Sequence, residues 1–204
     1  MKIAPGGITE NDWRMLDLSK HQRADWAKAI TIFRKRIQER FIEPVDTLIE
    51  IERNLPRTRR KYGFAILAID CLLIETLQAF RYGKVNTEGM SRFLITNFLQ
   101  KCRHFHWLRE VSHQFFDDFR CGILHQAETM RDSLVRSEGP LLIEEPSGLI
   151  VNRTEFHRRL KRAFTDYVAD LQNGRPTSLR EKFRVKMEHI CRDNALARKH
   201  PIEP

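Results

Sequence analysis

The stretch "RCGILH" sets Arg120, Cys121, Gly122 and His125 within six consecutive positions, and its residue types suit chemistry on a phosphate ester. Histidine is the side chain whose unperturbed titration falls near neutrality, so His125 is a candidate general acid or base. A guanidinium keeps its proton and can bind two non-bridging phosphate oxygens at once, which suits Arg120 to the charge that builds there during phosphoryl chemistry. The competing reading makes Arg120 a salt-bridge partner of Asp117 or Asp118, whose loss would cost about 1 kcal/mol or less and no function. Spacing adds a constraint. Five residues of α-helix turn through about 500°, so the two side chains sit about 140° apart. With Phe116 at the origin, Phe119, Ile123 and Ala127 form the core-facing stripe, Arg120 lies beside it and His125 opposite. Arg120 and His125 are therefore expected to meet only if the helix is distorted near Gly122, or if a second copy presents its own helix across a two-fold axis. A glycine there would permit close approach.

Two further groups could support chemistry. "CRHFHW", Cys102 to Trp107, puts Cys102 and His106 on one helical face with His104 elsewhere. A tetrahedral metal site would need two more ligands, none of them suitably spaced, so no metal or other cofactor is expected. Asp70 and Glu75 lie in a strongly apolar stretch, and carboxylates buried there must be paired or protonated. One of them is expected to bond Arg120 or another basic group, with Glu75 orienting the site or forming a purely structural ion pair.

The elements that must position these residues are helical. Trp26, Ile30, Phe33 and Ile37 recur at helical spacing from about His21 to Arg40, and Pro44 is expected to interrupt the pattern before Val45, Leu48, Ile49 and Leu55 resume it. A central helix from about Arg59 to Arg81 is apolar nearly all round and ends at Gly83. Its 62–80 stretch is long enough for a bilayer, but Asp70 at its centre, costing roughly 2.5–3.5 kcal/mol on insertion, favours a buried helix of a soluble bundle. Helices follow over about Met90 to Leu108 and Ser112 to Arg131. "PLLIEEPSGLIVN" breaks the rhythm and predicts a small β-hairpin near 141–151. Asn152 then caps a helix with Glu155 three residues on, "NGRP" ends it, and a last helix opens at Ser178 with Glu181 as its capping partner. The tail "ARKHPIEP" reads as frayed. The expected architecture is all-α, one domain over 1–204, with a bundle core at about 21–131 and a hairpin-plus-helix extension at about 140–198.

Composition sets outer limits. The chain has 204 residues, and 36 Lys and Arg against 27 Asp and Glu give a formal charge of +9, which favours polyanionic partners. The runs "RTRRK" at 57–61 and "HRRLKR" at 157–162 are read as non-specific phosphate contacts at most, because the aromatics are consumed by core stripes. Its 4 cysteines are far apart, which points to reduced thiols in a cytoplasmic protein, and the N-terminal segment lacks the apolar run of a secretory signal.

At this point the chain resembles a family. "RCGILH" is similar to the Arg-x4-6-His motif of the HEPN superfamily of helical bundles, and Glu75 in "LLIETLQ" matches the acidic residue on the central helix that precedes the motif helix. The resemblance covers about Arg59 to Arg131. It implies a metal-independent endoribonuclease in a bacterial defence or toxin–antitoxin setting, with RNA as substrate, Arg120 and His125 as catalytic residues, and Glu75, Asp70 and Cys121 in support. It also implies a homodimer whose two motif helices share one cleft, and a neutralising protein partner. Where such motifs usually have Asn, Asp or His after the arginine, this chain has Cys121. Ala127 stands where an adenylyltransferase-regulated variant has tyrosine, so that regulation is not expected. The alternatives are a non-catalytic HEPN-like module for nucleic-acid binding or dimerisation, and a basic helical DNA-binding protein.

Overall fold

The computed structural model describes residues 2–19, 23–174 and 176–197. His21, Arg175 of the "NGRP" terminator and most of the tail expected to fray lie outside the described residues. The elements run α1 (Glu10–Arg14), α2 (Arg23–Ile37), α3 (Glu43–Arg53), α4 (Gly63–Tyr82), α5 (Ser91–Lys101), α6 (Ser112–Phe115), β1 (Leu134–Arg136), β2 (Leu142–Glu145), β3 (Gly148–Asn152), α7 (Arg153–Asn173) and α8 (Thr177–Ala197). A π-wound turn, Gln38–Ile42, follows α2, and a longer π-wound segment, Phe116–Gln126, follows α6. Short 3-10 turns occupy Arg57–Arg59 and Arg103–Leu108. The chain is thus mainly helical, with a small sheet.

Several boundaries differ from the sequence reading, each for a local reason. The pattern is interrupted, the π-wound turn Gln38–Ile42 separating α2 from α3, but Pro44 lies just after that turn. It falls in the first turn of α3, where its missing N–H is not needed, and the wide turn before it accommodates the ring. The basic run before α4 forms a 3-10 turn, so the central helix begins at Gly63 rather than Arg59. Cys102 is extended (φ −77°, ψ 120°), so the third helix stops at Lys101. The fourth stops at Gln126, because Ala127 turns left-handed at φ 56°.

The described residues form two compact units, each drawing on separate parts of the chain. The first comprises 1–40, 79–87 and 166–204. Phe33 is its centre, with Phe80, Phe183 and Tyr167 around it at ring centroids of 4.7, 5.2 and 5.8 Å. Of the α8 stripe that helical spacing predicts, Leu179, Phe183 and Met187 are buried there and Ile190 is half-buried.

The second unit comprises 41–78 and 88–165. Phe105, Phe115 and Phe156 form its aromatic core, Phe115 stacking on Phe156 at 5.2 Å and Phe105 meeting Phe156 at 4.9 Å. Along α4, Ile66, Leu67, Cys71, Leu73, Ile74 and Leu77 are buried. α4 is long and apolar enough to cross a membrane, yet it serves as a core helix. The hairpin forms as expected, β2 pairing antiparallel to β3 with Ile143 opposite Ile150. A third strand joins it. β1 runs parallel to β3 on its other edge, with Val135 opposite Val151, so the order is β1-β3-β2. Central β3 is buried throughout, as "GLIVN" with both faces covered should be. Asn152 then caps α7, its Oδ1 accepting from the Thr154 and Glu155 amides at 3.0 and 3.1 Å. The expected reciprocal bond from Glu155 does not form, because its carboxylate accepts from Arg158 and Arg159 instead.

One buried ion pair ties this unit together. Glu52 and Arg153, 1% and 3% exposed, bond each other, and Glu52 also accepts from the Lys61 and Tyr62 amides just before α4. That satisfies two amides at a helix start with one buried carboxylate.

Candidate functional site

The geometry of "RCGILH" is decided by the winding of the backbone. Over Phe116–Gln126 the chain follows a π-helix rather than an α-helix. Closing i→i+5 bonds puts roughly 4.4 residues in a turn, so five steps rotate by about 410° and end within about 50° of the start. Arg120 and His125, out of phase on an α-helix, therefore come together on one face. Arg120 Nη1 lies 3.2 Å from His125 Nε2. This is the distortion that one of the two sequence-level routes required, and it occurs within a single chain. A second copy is not needed to bring the two side chains together. The stripe changes too: Phe115, Phe116, Asp118, Phe119 and Gly122 are buried, whereas Ile123 is half-buried and Ala127, placed in the core by α-helical phasing, is exposed.

Gly122 makes this winding possible. After Ala127 the chain doubles back, the Ala127 amide donating to Gly122 O, five residues earlier, and the Met130 amide donating to Asp118 O at 3.0 Å. A Cβ on Gly122 would lie 2.5 Å from Glu128 O and 3.2 Å from Met130 N. The close approach that glycine permits is thus that of its own returning chain. The returning segment is anchored by Asp118, whose fully buried carboxylate accepts from Ser133 Oγ at 2.7 Å and pairs with Arg131 at 2.7 Å. Ser133 Oγ in turn accepts from the Leu149 amide at 2.8 Å, which fastens the end of the motif helix to β3.

Arg120 is held from the other side by α4 and α5. Its Nε donates to Glu75 Oε1 at 3.0 Å and its Nη2 to Ser91 Oγ at 3.1 Å, while Ser91 Oγ donates to Glu75 Oε2 at 2.8 Å. Arg120 and Glu75 are 15% and 14% exposed, so the pair is largely shielded from water but reachable. Phe116 lies below, its ring centroid 5.7 Å from the Arg120 guanidinium carbon and 4.5 Å from that of Arg92. Neither Asp117 nor Asp118 is the partner of Arg120: Asp117 pairs with Arg92 at 2.5 Å and Asp118 with Arg131.

The polarity of this cluster follows from donor chemistry. A guanidinium has no lone pair to offer, so Nε2 of His125 is the acceptor and the imidazole proton sits on Nδ1. In that tautomer the one basic lone pair of the ring is spent on the Arg120 N–H, so His125 can take a proton at Nε2 only once that bond is broken. Three of the five N–H groups of Arg120 are used by Glu75, Ser91 and His125, which leaves one on each terminal nitrogen for an anion. His125 is exposed at the rim, flanked by Leu124, which is 38% exposed.

Of the supporting residues, Glu75 is where the sequence places it and Asp70 is not. Asp70 is fully buried and pairs with His157 Nδ1 at 2.7 Å, and His157 Nε2 is 3.4 Å from Asp46. Burial raises the Asp70 carboxyl to about 6, against the opposing pull of His157. Asp70 and Glu75 are five apart on regular α-helix, so only Glu75 can face Arg120. Cys121 is half-buried and free, and makes no hydrogen bond to Arg120 or His125 among the described residues. Ser91 carries no signal in the sequence beyond being the first residue of α5. His157 was hidden inside "HRRLKR". Much of that run is engaged: His157 is buried, Arg158 and Arg159 bond Glu155, and Lys161 bonds Asp46, while Arg162 is exposed.

In "CRHFHW", Phe105 is core, and Trp107, 49% exposed, lies under the Arg159 guanidinium at 4.2 Å. Among the described residues no group of three or more His, Cys, Asp or Glu is arranged to hold a metal ion. No family model, curated protein or solved structure matches this chain.

Proposed function

We propose that the chain is a metal-independent endoribonuclease of the cytoplasm that cleaves RNA with Arg120 and His125. The observation that carries this reading is the 3.2 Å approach of Arg120 Nη1 to an exposed His125 Nε2, with Glu75 and Ser91 fixing the arginine from behind. In this reaction the Arg120 N–H moves from His125 Nε2 to the phosphate, the freed Nε2 lone pair takes the proton of a 2′-hydroxyl, and that oxygen attacks the adjacent phosphorus. The phosphorus–5′-oxygen bond breaks, and the leaving oxygen takes a proton from water, giving a 2′,3′-cyclic phosphate and a 5′-hydroxyl. The terminal N–H groups of Arg120 that Ser91 does not hold bind the non-bridging oxygens as their charge grows. Glu75 is a positioning residue.

The defence or toxin setting, the neutralising partner and the homodimer are proposed on the resemblance of "RCGILH" and Glu75 to HEPN proteins. Within one chain the two catalytic groups already meet, so a second copy would add a site or enclose the cleft rather than create the pair. The alternative, a non-catalytic module for nucleic-acid binding or dimerisation, draws on a different feature: the Arg120–Glu75 pair also joins the motif helix to α4.

The test is incubation of the purified protein with RNA in EDTA, alongside His125→Ala and Arg120→Ala, each checked for fold by circular dichroism. General acid–base help of about 10²- to 10⁴-fold predicts a loss of at least that size for His125→Ala. Equal cleavage by all three proteins would indicate a contaminating nuclease and sink the reading. Salt-sensitive RNA binding without cleavage would establish the non-catalytic module.

A further inference from the structure

Beside Gly63, before the first turn of α4, lies a recess of about 410 Å³ that shares no lining residue with the Arg120 cluster. Four arginines line it, Arg57, Arg60, Arg136 and Arg153, against the two carboxylates Glu52 and Glu138. These charges differ in role. Arg153, 3% exposed, is bonded to the buried Glu52 and forms part of the fixed frame. Arg57 donates from both Nε and Nη2 to Glu138 Oε2, and Arg60 Nη1 donates to Glu138 Oε1 at 2.5 Å. The Glu138 carboxylate, on the segment between β1 and β2, thus lies across two guanidiniums. Their hydrogen bonds, Arg60's first, hold it below the usual carboxylate range. The side chain of Arg136, exposed on the same wall, has no hydrogen-bond or ion-pair partner among the described residues.

A structural ion pair accounts for Glu138 on Arg57 and Arg60, but it leaves a fourth guanidinium unused and a recess of ligand size. A phosphate monoester answers both. It is a dianion near neutrality, it has three terminal oxygens for several guanidinium forks, and its organic part needs an apolar wall. Val135, Pro140 and Ile143 supply that wall. We propose that the recess binds a phosphate monoester, whose oxygens displace the tethered Glu138 carboxylate from Arg57 and Arg60 and engage Arg136. The site is independent of the ribonuclease reading and stands whether or not Arg120 and His125 cleave RNA.

Calorimetric titration with adenosine 5′-monophosphate tests it, with adenosine as the control for the base alone. Binding is expected for the monophosphate and not for adenosine. Removing the tethered competitor in Glu138→Gln should tighten it about fivefold. Losing a charge-assisted contact in Arg136→Ala should weaken it about tenfold, and since Arg136 has no side-chain partner among the described residues the variant should fold normally. The free nucleotide and a strand end share this chemistry, so a 5′-phosphorylated deoxyhexanucleotide and its 5′-hydroxyl counterpart form the second arm. Preference for the phosphorylated strand over the mononucleotide assigns a strand end, and the reverse assigns a free nucleotide. The proposal is overturned if neither wild type nor Glu138→Gln binds either monoester at millimolar concentration. Equal binding of adenosine and its monophosphate, or unchanged affinity for the monophosphate in Arg136→Ala, would overturn it as well.

Discussion

Replacing Gly122 by alanine separates the π-wound geometry from an ordinary helix by the sign of a stability change. In a regular helix interior the substitution stabilises, because alanine is favoured over glycine by about 0.8–1 kcal/mol. Here the added Cβ would stand 2.5 Å from Glu128 O, which is backbone and cannot swing aside, and 3.2 Å from both Met130 N and Met130 Cγ. Relief requires the returning segment to move. That strains the bond from the Ala127 amide to Gly122 O and the 3.0 Å bond from the Met130 amide to Asp118 O. Overpacking of this kind costs about 1–3 kcal/mol, and two weakened hydrogen bonds about 0.5–1.5 kcal/mol each, so the helix-propensity gain is outweighed. The expected net result is destabilisation by about 1–5 kcal/mol, read as a shift of the urea midpoint at unchanged slope. The same movement should displace His125 from Arg120, so RNA cleavage should fall more than the unfolded fraction explains. A Gly122→Ala protein as stable as wild type, or more so, would refute the account of why these two side chains meet.

Two other perturbations probe the interior of the second unit. The Asp70 carboxyl is raised to about 6 from its usual 3.8 by burial, so the folded state binds its proton more tightly than the unfolded chain does. Its contribution to stability is therefore full below about pH 4 and is lost as pH rises through about 6, by something of order 2–3 kcal/mol. Asp70→Asn should flatten that part of the stability profile. Denaturation curves of the two proteins that remain parallel from pH 4 to 7 would contradict the assignment. Glu52→Ala leaves Arg153 buried without its partner and frees two amides ahead of α4, and should destabilise by about 3–5 kcal/mol in chemical denaturation. A cost under about 1 kcal/mol would show that water reaches the arginine.

The helical character of the chain and most core positions were legible because they depend on local periodicity. Trp26, Ile30, Phe33 and Ile37 are buried as their spacing requires, as are Leu179, Phe183 and Met187. The hairpin was legible because "EPSG" separates two apolar runs, and the Asn152 cap because asparagine before a periodic run satisfies orphan amides. β1 was not legible. Three residues, "LVR", carry no alternation long enough to read, and the strand exists only because β3 offers it a parallel edge. Nor could spacing choose Glu75 over Asp70 as the partner of Arg120, because both are acidic residues of one apolar helix. The choice belongs to His157, distant in sequence, which takes Asp70 and leaves Glu75 facing the motif helix.

By itself the amino-acid sequence determined which residues carry usable chemistry, where helices run, and that an acid on the central helix and an arginine on the motif helix must be reconciled. It also supplied the glycine. What only the tertiary structure decided is that Arg120 and His125 touch within one chain. Local periodicity assumes 3.6 residues per turn, and on that assumption the pair is about 140° apart. The wider turn is imposed by contacts made after the helix ends: the return of Glu128 to Met130 over Gly122, and the anchoring of that return through Asp118, Ser133 and β3. A site six residues long is thereby set by a strand more than twenty residues further along the chain.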